Sequence, residues 1–127
     1  MIYGVGTDIV EIERIQNALK RFGERFAKRI LCDSELNRFL GHKQPASYLA
    51  KRFAAKEAFT KALGTGIHAP ANWHGVWVKN LPSGKPVLQF TDALNSLLKT
   101  KGVTNSHLSL ADERGMAVAT VILECEK

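Results

Sequence analysis

The chain has 127 residues, of which 45% are hydrophobic and 24% are charged, and its Lys and Arg outnumber its Asp and Glu to give a formal net charge of +6. Residues 1–127 are enough for one domain with a core that needs no stapling by disulfides. No apolar run approaches the ~20 residues of a membrane span, and no basic-then-apolar leader opens the chain. These features exclude a membrane-spanning protein and lead us to expect a cytoplasmic one.

The first half of the chain is predicted to hold one strand and three helices. An apolar, glycine-containing run predicts a strand over 2–8 that stops at Asp8. Apolar residues three and four apart predict an amphipathic helix over 12–22. A capping sequence predicts a short helix over 33–40, and a proline opens the longest helix, 46–63, which a glycine ends.

The second half is predicted to contain two hairpins and one helix. Its elements are strands 73–79 and 87–90, a helix over 92–101, and strands 106–111 and 116–124. The last strand is apolar almost throughout, so it should be central in its sheet. The order β-α-α-α-β-β-α-β-β predicts an α+β fold, with a largely antiparallel sheet packed with helices.

The positive charge indicates an acidic partner without naming it: a nucleic acid, an anionic membrane, a phosphate-rich cofactor or an acidic protein. Cys32 and Cys125 lie far apart without a CxxC spacing, which is typical of free thiols in an intracellular protein. Most basic residues lie in the first half of the chain, on predicted helices, and composition alone favours a solvated face for them. They are Lys20, Arg21, Arg25, Lys28, Arg29, Lys51, Arg52 and Lys56.

The helix over 46–63 carries two charges where packing is expected. At 100° per residue, Glu57 and Lys61 lie in the middle of a stripe made mainly of alanines, and a second apolar stripe lies opposite. A Glu–Lys pair on a solvated helix adds only a few tenths of a kcal/mol, roughly 0.2–0.5. Charges on a packed face are costly unless something pairs with them. We therefore interpret Glu57 and Lys61 as part of a site.

Asp8 is the second candidate, because it is predicted to lie where the first strand leaves the sheet. There it can bind a metal ion, or it can simply cap the helix that follows. Two carboxylates without CxxC or HxxxH spacing favour a hard ion with oxygen ligands, and magnesium usually takes one or two carboxylates plus phosphates and water. Together with Lys61 and the nearby glycines Gly64 and Gly66, Asp8 and Glu57 favour phosphate chemistry.

Two segments resemble motifs of the holo-[acyl-carrier-protein] synthases, which are 4′-phosphopantetheinyl transferases. Residues 4–15, GVGTDIVEIERI, resemble the opening motif, and residues 53–66, FAAKEAFTKALGTG, resemble the second. The turn 84–86 and the closing hairpin are similar too, so the likeness spans nearly the whole chain. The resemblance implies transfer of 4′-phosphopantetheine from coenzyme A to a serine of apo acyl carrier protein. The products would be holo carrier protein and 3′,5′-ADP, in support of fatty acid biosynthesis.

The resemblance also implies a role for each matching residue. Asp8 and Glu57 match the magnesium ligands, and Lys61 matches the lysine that neutralises the pyrophosphate. Glu57, directly or through a magnesium-bound water, is the best-placed general base for the serine proton. The residues implied to border coenzyme A are Lys61, Gly64, Thr65, Gly66, Lys85, Pro86 and His107. The residues implied to dock on the acidic helix of the carrier protein, away from the Glu57 motif, are Arg14, Lys20, Arg21 and Arg25.

The resemblance also implies how the chains assemble, and at one place the sequence departs from the family pattern. The family forms a trimer with each active site between neighbouring chains, and it binds neither nucleic acid nor membrane. Many members carry a second histidine where this chain has Ala111 and Asp112. No role that needs a histidine there is carried over.

Two other functions compete with this interpretation. A small basic nucleic-acid-binding module explains the charge but not Glu57 on a packed face, and its affinity would fall steeply with salt. A magnesium-dependent nucleotide hydrolase shares the metal site but gives no reason for the basic helix. An assay for free phosphate would reveal it.

Overall fold

A computed structural model describes residues 1–126. These residues form β1 (Ile2–Glu11), α1 (Ile12–Phe22), α2 (Glu24–Ile30), α3 (Asp33–Leu40), α4 (Pro45–Leu63), β2 (Val76–Asn80), β3 (Pro86–Phe90), α5 (Asp92–Thr100), β4 (Val103–Glu113) and β5 (Met116–Cys125). The α+β class is confirmed, and the predicted order recurs with one addition, the helix α2. Gly23 is the cause: with φ 66° it ends α1, and α2 begins at the next residue.

The strands form a three-stranded antiparallel sheet, ordered β1-β5-β4, and a separate antiparallel pair of β2 and β3. The prediction of a central last strand is confirmed. Alternate residues of β5 face α4 and are fully buried, which explains the apolar composition of the strand. These residues are Ala117, Ala119, Val121 and Leu123.

The prediction that the first strand stops at Asp8 is wrong. Asp8 pairs with Ala119 of β5, and the pairing continues to Glu11 opposite Met116. The apolar residues after Asp8 can serve a strand as well as a helix, and β5 offers partners for them. Asp8 therefore cannot cap α1, whose N-cap residue is Glu11.

Two glycines of β1 let α4 lie directly on the strand. A Cβ atom added to Gly4 would come within 2.0 Å of the Ala62 carbonyl oxygen, and one added to Gly6 within 1.9 Å of the Ala58 carbonyl oxygen. Side chains of alternate strand residues share a face, so Asp8 follows these glycines on the face towards α4. This close approach brings the carboxylate of the strand to the charged residues of the helix.

Helix α4 packs on both of its predicted apolar faces, and Ala50, Ala54, Leu49 and Phe59 are all fully buried. Two basic residues assigned to a solvated face are buried as well. Arg52 is 5% exposed and Lys56 is 0% exposed, whereas the basic residues of α1 and α2 are exposed. Among the described residues, no helix has the length and apolar character needed to cross a membrane.

Candidate active site

Asp8 of β1 and Lys61 of α4 form an ion pair at the edge of the helix–strand contact. The Lys61 Nζ atom lies 3.1 Å from Asp8 Oδ1 and also donates to the Thr7 carbonyl oxygen at 3.1 Å. The Lys61 side chain is 53% exposed and that of Asp8 is 17% exposed. Lys61 is therefore not packed as the helix spacing predicted. A long lysine stem can lie along an apolar surface while its ammonium stays in water.

Glu57 lies one helical turn before Lys61 and is half-buried. Burial raises the pKa of its carboxyl group, the nearby charge of Asp8 raises it further, and Lys61 acts in the opposite direction. The structure thus brings Asp8, Glu57 and Lys61 together. Two carboxylates close enough to repel each other, with one ammonium beside them, form an electrostatically strained cluster that favours an added cation.

The carboxylates open into a cleft of about 310 Å³. One wall is apolar and includes Phe26 of α2 and Phe53 of α4, and Arg14 of α1 also lines the cleft. The remaining lining residues are Ile9, Val10, Ile15 and Ala18. The prediction that Arg14 lies away from the Glu57 motif is therefore wrong, because Arg14 and Glu57 line the same cleft.

The other three predicted docking residues lie on surfaces outside this cleft. Lys20 lines a cavity of about 730 Å³ beside the β4–β5 turn. Arg25 lines a groove with the exposed ring of Phe22, and the Arg21 guanidinium lies 5.2 Å from the centroid of that ring. Of the four predicted docking residues, one arginine thus lies at the carboxylates and the other three residues lie on exposed surfaces.

The glycine loop follows the cluster directly. Gly64 ends α4 in the left-handed conformation at φ 89°, and Gly66 also has a positive φ, 66°. The Thr65 hydroxyl donates to the Gly66 carbonyl oxygen at 2.8 Å. This loop begins three residues after Lys61, so it leaves α4 from the end that carries the cluster.

None of the seven predicted coenzyme-binding residues lines this cleft, and three of them lie neither in it nor at the end of α4. Lys85 lies in the β2–β3 turn and Pro86 begins β3. His107 pairs in register with Ile122 of β5 and contacts Glu124 through its Nε2 atom. Asp8 shares the face of the sheet that α4 covers, whereas His107 lies on the opposite, open face. Within one chain, the sheet separates them.

The aromatic wall of the cleft was not predicted from the sequence. Phe53 had a usable signal, because it lies four residues before Glu57 and so on the same helix face. Phe26 had none, because α2 was not recognised as a helix. Arg14 was predicted to lie away from Glu57 but lines the cleft with it, because the distance between them depends on how α1 folds back against α4.

Comparisons with known proteins identify the family of the chain. A model of the 4′-phosphopantetheinyl transferase superfamily matches residues 4–121. The chain is 55% identical over 123 residues to a holo-[acyl-carrier-protein] synthase of Vibrio parahaemolyticus, covering 97% of this chain and 98% of that protein. The chain belongs to the holo-[acyl-carrier-protein] synthase family of enzymes.

Solved structures of this family have the same fold. The crystal structure of the holo-[acyl-carrier-protein] synthase from Neisseria meningitidis matches with a TM-score of 0.94 at 44% identity, covering 98% of this chain and 99% of that chain. The structure of a holo-(acyl-carrier-protein) synthase from Bacillus anthracis, in complex with CoA (3′,5′-ADP), matches with a TM-score of 0.83 at 37% identity, covering 99% of both chains.

The donor set of this synthase cleft fits a magnesium ion. Residues 1–126 contain no group of three or more His, Cys, Asp or Glu side chains that could hold a metal. Asp8 and Glu57 offer two carboxylates, and magnesium typically takes one or two carboxylates and completes its shell with phosphate and water. A cation between them would offset the repulsion that helps to raise the pKa of Glu57.

Proposed function

We propose that this synthase transfers the 4′-phosphopantetheine group of coenzyme A to a serine of apo acyl carrier protein, and so supports fatty acid biosynthesis. The observation that carries the proposal is the pair of carboxylates, Asp8 and Glu57, in an open cleft, with the Lys61 ammonium 3.1 Å from Asp8. The Lys61 ammonium, and a cation held by the two carboxylates, would offset the charge of a pyrophosphate, and the related synthase from Bacillus anthracis was solved with CoA (3′,5′-ADP). The cluster also gives the transfer a base and a counter-charge.

In the proposed reaction the serine Oγ atom attacks the β-phosphorus of coenzyme A. The bond from that phosphorus to the bridging oxygen breaks, and 3′,5′-ADP leaves with the electron pair. The serine proton passes to the carboxylate of Glu57. Burial raises the pKa of Glu57, which makes it a better proton acceptor than an ordinary exposed carboxylate.

Lys61 is proposed to neutralise charge on the pyrophosphate. Its ammonium is half-exposed and held by Asp8 and the Thr7 carbonyl, so it is oriented yet free to meet an anion. Asp8 and Glu57 would hold a magnesium ion, which supplies electrostatic stabilisation of the transferring phosphoryl group when bound. The loop of Gly64, Thr65 and Gly66 would run along the coenzyme.

The basic surface around the cleft is proposed to dock the acidic carrier protein. Lys20, Arg21 and Arg25 are exposed and lie outside the cleft, where they can steer an acidic partner and raise its association rate. Arg14 borders the carboxylates, so it would bind the carrier close to the reacting serine.

We propose a homotrimer with active sites between chains. The open face of the three-stranded sheet presents apolar residues of β1 to solvent, with Val5 55% and Ile9 58% exposed. Such a face is typical of a contact surface. A neighbouring chain would also explain how His107, Lys85 and Pro86 can border a coenzyme held at Asp8. Sedimentation equilibrium tests this: a stable, fully active monomer contradicts it.

A cytoplasmic location and a single transferase domain over residues 1–127 complete the proposal. Both cysteines are free thiols, as expected in a reducing compartment. The buried apolar residues form one cluster with contributions from helices and strands throughout the chain.

The test is the intact mass of apo acyl carrier protein after incubation with the synthase, coenzyme A and magnesium. We expect the carrier to gain the mass of one phosphopantetheine and 3′,5′-ADP to appear in equal amount. A carrier whose serine is replaced by alanine is the matched control and should stay unmodified. An unchanged apo carrier, or release of free phosphate without carrier, would contradict the proposal.

A further inference from the structure

Lys56 precedes Glu57 in the chain but points into the protein interior. Its side chain is 0% exposed, and its Nζ atom donates to the Ile30 carbonyl oxygen at 2.6 Å, to Glu35 Oε1 at 2.7 Å and to the Trp73 carbonyl oxygen at 2.7 Å. All three donors of the ammonium are used. Lysine is almost never fully buried without such partners.

The partner carboxylate of Glu35 is equally enclosed. Its side chain is 1% exposed, Oε1 also accepts from the Cys32 backbone N–H at 3.1 Å, and Oε2 accepts from the Val78 backbone N–H at 2.9 Å. We call Glu35, Lys56 and the carbonyl groups of Ile30 and Trp73 the buried hub. The hub joins the end of α2, the start of α3, strand β2 and the loop before β2 to the middle of α4.

Both aromatic residues of the cleft wall connect to this hub. Ile30 is the last residue of α2, the short helix that contributes Phe26 to the cleft. The Trp73 ring stacks on the Phe53 ring, with centroids 5.0 Å apart and planes at 30°. The ammonium of Lys56 thus fixes the backbone at Ile30, in the helix that carries Phe26. It also fixes the backbone at Trp73, whose ring supports Phe53.

We propose that Lys56 is a positioning residue, whose buried ammonium sets the aromatic wall of the cleft and thereby the approach of the carrier protein to Glu57. The inference rests on the proposed function, because it assumes that the carrier enters this cleft. Lys56 itself touches neither substrate. Its hydrogen-bond partners are Ile30, Glu35 and Trp73, whereas Lys61 contacts Thr7 and Asp8, so we expect the binding of coenzyme A at Asp8 and Lys61 not to depend on Lys56.

Stability alone explains the hub poorly. A buried ion pair is often no more stabilising than apolar residues of similar volume, because desolvation offsets the attraction between the charges. The three directional hydrogen bonds of the hub fix the relative placement of three separate segments, which apolar packing does not do. That geometric constraint is what an aligned substrate requires.

The test compares Lys56→Met with wild type in steady-state kinetics, varying carrier and coenzyme A in turn. We expect the KM for carrier to rise on the order of tenfold, below the ~100-fold that a 1 Å misplacement at the reacting centre can cost, with the KM for coenzyme A within twofold. A merely structural role would lower the amount of folded enzyme, so the maximal rate would fall with both KM values unchanged. Lys51→Met is the matched control: Lys51 lies on the same helix, half-buried and 3.7 Å from Asp112, outside the hub. It should leave the KM for carrier unchanged.

A second variant covers the case in which Lys56→Met does not fold. Trp73→Leu removes the ring behind Phe53 without leaving a buried charge, and it should raise the KM for carrier about threefold with that for coenzyme A unchanged. If the wild-type enzyme modifies the carrier and both variants have the wild-type KM for carrier, the positioning role is wrong while the proposed function stands. If wild type does not modify the carrier, the proposed function itself fails.

Discussion

Helix α4 presents two lysines to two carboxylates, and the pairs differ chiefly in their environment. Lys61 and Asp8 are 3.1 Å apart with the lysine side chain 53% exposed, whereas Lys56 and Glu35 are 2.7 Å apart and no more than 1% exposed. Water screens the attraction between Lys61 and Asp8. Lys61 can therefore exchange Asp8 for a phosphate, and Asp8 can exchange Lys61 for a metal ion. The second pair has all three ammonium donors committed to protein oxygens. The exposed pair is thus suited to the proposed chemistry, whereas the buried pair holds separate segments of the fold together.

Removing the acid from each pair should separate the two roles most strongly. Glu35→Ala leaves the Lys56 ammonium buried without its partner and should lower the free energy of unfolding by about 3–5 kcal/mol. Asp8→Ala should lower it by no more than about 1 kcal/mol, because water screens that pair. Urea unfolding of both variants measures the difference. Equal losses in the two variants would mean that the contrast in burial has no energetic consequence.

A substitution beneath the exposed pair should disturb its geometry. The Cβ atom of Gly6→Ala would lie 1.9 Å from the Ala58 carbonyl oxygen, so β1 must move away from α4. We expect a loss of about 1–3 kcal/mol in stability from overpacking. We also expect a fall in kcat approaching 100-fold if Asp8 shifts by about 1 Å from Glu57. The control is Gly41→Ala, where φ is −101° and nothing lies within 4 Å. A fully active Gly6→Ala enzyme would show that this contact does not set the site.

Charge reversal at two arginines should distinguish the cleft from its surroundings. Arg14→Glu adds a carboxylate beside Asp8 and Glu57, so it should lower kcat as well as raise the KM for carrier. Arg25→Glu, outside the cleft, should raise only the KM for carrier, about tenfold at low salt and less as salt increases. Steady-state kinetics at two ionic strengths measures both. An unchanged kcat for Arg14→Glu would place that side chain outside the reaction.

The smallest effect concerns the pH dependence of stability without magnesium. Burial and Asp8 raise the folded-state pKa of Glu57 above its ordinary 4.5. At pH values between the unfolded-state and the folded-state pKa of Glu57, the folded chain binds more protons than the unfolded chain. The free energy of unfolding therefore falls as pH rises through that window. Glu57→Gln removes this penalty, and its stability relative to wild type should increase across the window by less than about 1 kcal/mol, since water screens the exposed part of the carboxyl group. Denaturant unfolding in EDTA from pH 4 to 7 tests this expectation, and a difference that stays constant contradicts it.

Local patterns predicted much of the fold. The α+β class, the central position of β5 and the end of α4 at Gly64 follow from periodicity and capping, which depend on residues close together in the chain. Helix α2 was missed because a single glycine separates it from α1. The end of β1 was misplaced because its continuation depends on pairing with β5, which is remote in sequence.

The site was predicted unevenly for the same reason. The cluster of Asp8, Glu57 and Lys61 was identified, because each stands in a recognisable motif. The burial of Lys56 was missed, because a helical wheel describes one helix and not what packs on it. Its partners Glu35 and Trp73 lie 21 and 17 residues away in the chain. Only the tertiary fold shows that Lys56 is buried and that Lys61 is exposed.

The dependence of kcat on magnesium concentration in two variants shows whether the exposed cluster performs the transfer. Asp8→Asn keeps an oxygen ligand but loses its charge, so excess magnesium should restore part of its activity when coenzyme A is saturating. Glu57→Gln also keeps an oxygen but cannot accept the serine proton, so saturating magnesium should leave kcat lower by a factor of about 10²–10⁴. Full rescue of Glu57→Gln by magnesium would contradict the account and place the general base elsewhere.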